Sequence, residues 1–300
     1  MTHQVDISAT KSFLKRIIRE KVSDSGLVWL DQQEIKFGTH FQLRSFYLAF
    51  SSVPRFIGKD PVHLTADQKV EADGLRRGFQ TEHWNLVQCV RTYLLLMLPA
   101  ENADDYMATL TKIFETADMD EQISLFGALP LLSYPEMLIK RTADGIRTNI
   151  TAVFDAIALY NPFPKDYLNE EAWNQMVLKA VFMQRPLYKI YGADERANPE
   201  LARMLIDFAH ERWAAGRQVW PELWRFVAPY ADTINLSDIR RVVDGDQLER
   251  KAGLLACALI NEPEAEQLID QYPEIKHEIQ NNRLDWKMIG KEAEHRALNS

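Results

Sequence analysis

Three hundred residues, 46% hydrophobic and 26% charged, form a chain of ordinary globular composition that is long enough to bury a substantial core. With 35 Lys and Arg against 43 Asp and Glu the net charge is −8, and a field of that sign repels polyanions and excludes nucleic acid as a general partner. Only 12 residues are glycine and no G-x-G occurs, so neither a dinucleotide fingerprint nor a phosphate-cradling loop can be written.

Taken in chain order, Met1–Thr10 lacks the apolar run and small-residue cleavage site of a secretory signal. Ala9–Val22 is an amphipathic helix with Phe13, Leu14, Ile17 and Ile18 on one face. Lys11, Lys15, Arg16, Arg19 and Lys21 ring that face, so a solvated helix is expected, with peripheral contact to a membrane or membrane protein as the rival. Leu27–Phe37 is the one segment that could hold a short extended piece, around Trp29. Thr39–Ser51 returns to helix with an aromatic face. Residues 1–63 are thus a helical lead-in, and 64–300 a helical domain continuous with it.

From Leu64 the pattern is helix, turn, helix. Thr65 is an expected N-cap, and Glu82 opens the apolar helix that Pro99 ends. Asp120 is an expected cap for the helix to Leu132. Asn198-Pro199-Glu200 starts a helix that Gly216 stops. The series runs on through Leu236–Val243 and Gln247–Leu259 to Gln280. Helices of this length with short turns predict an all-α fold. Its expected form is antiparallel pairs stacked as a degenerate HEAT- or armadillo-like solenoid, with a globular multi-helix bundle as the alternative. Cys89 and Cys257 fall in apolar helical runs and read as buried thiols of a reducing, cytoplasmic compartment.

Common catalytic motifs are missing: there is no H-E-x-x-H, G-x-S-x-G or C-x-x-C. Asp207, His210 and Glu211 share one helix face and form a weak metal candidate, the residues an enzymatic alternative would use. Glu292-x-x-His295 is an E-x-x-H pair that lies near the C-terminus. No cofactor is expected. Four of the seven tryptophans, Trp173, Trp213, Trp220 and Trp224, fall within 52 residues where an even spread would place about one. With Tyr167, Asn174, Lys179, Asp194, Arg196, His210, Arg212 and Arg217, three of them (Trp173, Trp213 and Trp224) make a candidate face for a flat organic ligand or a partner protein.

The same stretch resembles the EboA family. The blocks are Leu159-Tyr160-Asn161-Pro162-Phe163-Pro164, Glu171-Ala172-Trp173-Asn174-Gln175-Met176, Asp194-Glu195-Arg196-Ala197-Asn198-Pro199-Glu200, Ala209-His210-Glu211-Arg212-Trp213 and Pro221-Glu222-Leu223-Trp224-Arg225. The specific part covers roughly residues 155–230. The resemblance implies a bacterial helical adaptor or binding protein in the traffic of a secondary-metabolite precursor. It would work with companion proteins of one cluster: a membrane-embedded prenyltransferase, a TatD-like hydrolase, a dehydroquinate-synthase-like protein and a sugar-isomerase-like barrel. No catalytic residues carry over.

Overall fold

The computed structural model describes residues 5–231 and 236–299, and among them the chain is all-α. The described residues form eighteen α-helices and five short 3-10 helices, and the sole extended pairing among them is an isolated bridge between Pro61 and Asn85. Contacts divide the chain into two compact units, Met1–Leu168 and Asn169–Ser300.

The N-terminal unit holds α1 (Ile7–Lys21), α2 (Asp24–Thr39), α3 (Leu43–Phe56), α4 (Ala66–Leu75), α5 (Leu86–Leu95), α6 (Ala103–Thr116), α7 (Met119–Ala128), α8 (Ile139–Ile146), α9 (Thr151–Ala158) and α10 (Phe163–Tyr167). Every residue of α5 is buried, with α1, α3 and α7 packed around it. The stripe Phe13, Leu14, Ile17 and Ile18 of α1 is the face that packs inward. Its basic residues are largely spent within the unit: Lys15 bonds Glu34 at 2.5 Å, Arg16 pairs with Glu71, and Arg19 lies 3.3 Å from Asp31. Among the described residues no helix is long and apolar enough to cross a membrane.

The expectation of a short extended piece near Trp29 is corrected: Leu27–Phe37 lies inside α2. Ser23 caps this helix at the Gly26 N–H (3.4 Å), and helical spacing brings Trp29, Leu30 and Phe37 inward together. A strand would send Trp29 and Leu30 to opposite faces. Two helix starts also shift. Asn85, not Glu82, opens α5, in a reciprocal cap with Gln88 (2.9 Å each way). Asp118, not Asp120, caps α7; its carboxylate accepts from Glu121 N–H at 2.8 Å and Glu121 returns the bond at 3.1 Å. The Thr65 cap of α4 stands as expected, closed by Gln68.

The C-terminal unit holds α11 (Glu170–Phe182), α12 (Pro199–Ala214), α13 (Trp224–Val227), α14 (Leu236–Val243), α15 (Gln247–Cys257), α16 (Pro263–Asp270), α17 (Pro273–Gln280) and α18 (Trp286–Leu298). Here α15 is central, in contact with α13, α14, α16, α17 and α18. The last helix extends the series beyond Gln280; Asp285 caps it through Met288 N–H at 2.7 Å. Asn198 and Pro199 open α12 as the sequence implies, and Gly216, with φ +66°, ends it in the left-handed region that favours glycine. Both cysteines are free and buried; burial pushes Cys89 up to about 12 and Cys257 up to about 11, leaving no thiolate for chemistry near neutral pH.

Candidate functional site

Helix α12 sorts the polar-aromatic residues into two groups. From Asn198 to Trp213 it rises ~22 Å, so residues that are close in sequence stand at opposite ends. At its N-terminus, Asn174 and Asn198 exchange amide bonds (3.1 and 2.8 Å), and Asn198 Oδ1 also caps Leu201 N–H at 2.9 Å. Asn174 and Trp173 are buried. The Arg196 guanidinium lies 4.9 Å from the Trp173 ring centre, and Asp194 forms a two-pronged pair with Arg225. This end is an internal clamp of α11 on α12, and Trp173 offers no open face to a ligand.

The C-terminal end of α12 is concave. Buried Trp224 stacks on half-buried Trp213 with ring centres 5.7 Å apart and planes 20° apart. The Arg241 guanidinium of α14 lies 4.3 Å from the Trp213 ring centre. These rings, with Arg217, Val219 and Val242, line a hollow of about 310 Å³. A second hollow of about 180 Å³ shares Gln218, Val219 and Glu249 with it and is closed by Trp220 and by Ala293 and Arg296 of α18. Arg212 shapes the turn between them, its Nε donating to the Gln218 carbonyl at 3.0 Å. His210 donates to Asp238 at 2.8 Å, with its ring 5.9 Å from that of Trp213.

Beneath Trp220 lies a residue that the sequence reading left unused. Glu222 is fully buried and accepts three hydrogen bonds: from Leu187 N–H (2.9 Å), Tyr188 N–H (2.5 Å) and Trp220 Nε1–H (3.1 Å). Burial pushes its carboxyl up to about 7, while those three donors and Arg225 pull the other way. Gly290 of α18 presses on this carboxyl. A Cβ there would stand 2.6 Å from Glu222 Cδ and would run into the Tyr188 ring. Gly290→Ala is therefore expected to cost roughly 1–3 kcal/mol by overpacking, read as a lower urea midpoint; an unchanged midpoint would show that α18 is not seated on Glu222. A lone carboxylate inside the run Val219-Trp220-Pro221-Glu222-Leu223-Trp224 was the available signal.

The remaining candidates are dispersed. Tyr167 belongs to α10 of the N-terminal unit, and Lys179 lies on α11, its ammonium lowered by burial. The metal candidate does not converge: Asp207 is held by Arg203 at 3.0 Å, His210 by Asp238, and no metal-holding group of three His, Cys, Asp or Glu occurs among the described residues. Near the C-terminus, Glu292 is engaged by Arg296 at 2.7 Å. Arg241, Glu249 and Arg296, which complete the groove, carried no motif; each reads as one charge on the polar side of an amphipathic helix.

A family model described as metabolite traffic protein EboA matches residues 10–228, well over half of the chain. No curated protein and no solved structure matches it.

Proposed function

Because the chain belongs to the EboA family, its role lies in metabolite traffic, and we propose that it serves there as a non-catalytic α-helical binding or adaptor protein. In this reading it holds a small organic precursor in the groove at the C-terminal end of α12 and passes it to companion proteins on the cytoplasmic side. The groove itself carries the proposal: a half-exposed tryptophan braced by a buried one, cationic groups at its edge, and a volume at the lower end of the small-ligand range. Asp207 and His210, engaged with Arg203 and Asp238, lend no support to a metal-dependent reaction.

The test is Trp213→Ala combined with Arg241→Ala in the producing cell. Both side chains lie at the rim, so helicity should persist. Metabolite delivery should fall by about tenfold or more, the effect of losing a stacked ring and a charged donor. A folded double variant that delivers at the normal rate overturns the groove as the working surface.

A further inference from the structure

The groove combines an aromatic wall with two exposed arginines, Arg217 and Arg241, and one carboxylate, Glu249, in a chain whose net charge is −8. The carboxylates around it are already committed. Glu249 accepts from Asp246 N–H at 3.0 Å, Asp246 caps Leu248 at 2.7 Å and pairs with Arg296 at 3.0 Å, and Asp238 holds His210. By contrast, Arg217 and Arg241 are exposed, and among the described residues neither has a carboxylate within ion-pair distance. Arg241 lies against the Trp213 ring, an interaction that uses the π-face of the indole and leaves the guanidinium N–H groups to donate elsewhere. A planar fork of donors beside a flat apolar surface matches a carboxylate attached to an aromatic ring: the two oxygens meet the fork, and the ring lies along Trp213, Val219 and Val242.

Resting on the groove as the binding surface, we infer that its ligand class is the small aromatic carboxylate, with Arg217 and Arg241 as the selectivity-determining residues. Arg241 comes from α14, outside the family-matched residues 10–228. The anion selectivity therefore comes partly from a segment beyond the matched region.

The experiment is calorimetric titration of the full chain, at neutral pH and low salt, with naphthalene-2-carboxylate and its neutral carboxamide. The carboxylate should bind about tenfold or more tightly than the amide, the worth of a charge-assisted bond. Arg217→Ala and Arg241→Ala should each remove about that preference, Arg241→Lys should keep part of it, and Trp213→Ala should weaken both probes. Equal binding of the two probes, still sensitive to Trp213→Ala, overturns the anionic class and leaves the groove standing. A carboxylate preference that survives both arginine variants overturns their assignment. Binding indifferent to Trp213→Ala overturns the groove as well. If neither probe binds, the aromatic-carboxylate class is wrong, and delivery by the Trp213/Arg241 double variant still decides the groove.

Discussion

Glu222→Ala should destabilise the protein by about 3 kcal/mol or more, the largest effect expected of any single change in the C-terminal unit. The substitution strands three donors, the buried Leu187 N–H and Trp220 Nε1–H and the part-buried Tyr188 N–H, and each buried donor left unsatisfied costs about 1–3 kcal/mol. It also empties the space beneath Gly290. Urea unfolding followed by tryptophan fluorescence measures it, and a loss below about 1 kcal/mol would refute Glu222 as the acceptor that ties these donors together. Glu222→Gln should cost less, because the amide oxygen still accepts while its NH₂ confronts at least one donor.

The same residue sets a pH dependence whose sign is fixed by its raised pKa. The folded state holds the Glu222 proton up to about pH 7, whereas the unfolded chain releases it near the ordinary carboxylate value of 4.5. Between those limits the native state binds more protons, so stability declines as pH rises and levels off above 7. The full span corresponds to about 3 kcal/mol. Glu222→Gln should flatten that slope; a slope that persists in the variant would place the titration elsewhere.

Arg91→Ala is expected to cost the N-terminal unit about 3–5 kcal/mol, as breaking a buried ion pair does. Arg91 is 2% exposed at the centre of α5, donates from Nε to the Phe50 carbonyl at 3.2 Å, and stands 3.7 Å from Glu121 with its guanidinium 5.2 Å from the Phe50 ring centre. Burial lowers its pKa and Glu121 opposes that shift. Removing it leaves Glu121, which also completes the cap of α7, without its cation. Arg91→Met keeps most of the volume and its oily stem, so part of the packing contribution should survive. Equal losses in the alanine and methionine variants would assign the whole effect to charge; a loss under about 1 kcal/mol in both would remove Arg91 as the link between α3, α5 and α7.

Helix identity was legible because its determinants are local. Asn198-Pro199-Glu200 and Gly216 carry a start and a stop within their own few atoms, and α12 runs between them. The same locality explains the small errors. Asp118 and Asp120 are both competent caps, and only the reciprocal bond from Glu121 selects the first. Around Trp29 the apolar spacing fits helix or strand over three residues; the inward packing of Phe37 decides for helix.

The candidate face was only partly legible. The tryptophan cluster led to Trp213 and Trp224, but side-chain exposure is not written in residue type, and Trp173 turned out to be core. Arg241, Glu249 and Arg296 come from α14, α15 and α18, separated in sequence from Trp213 and united with it only by packing against the central helix.

The sequence by itself determined an all-α chain of the EboA family, with its caps and buried thiols, because capping, periodicity and family motifs are encoded over a few turns of chain. Tertiary structure alone decided which rings face solvent, which charges are spent, and where the groove opens. Those properties depend on contacts between residues tens of positions apart, and one carboxyl, Glu222, is buried only because two distant segments, Leu187-Tyr188 and Gly290 of α18, close over it.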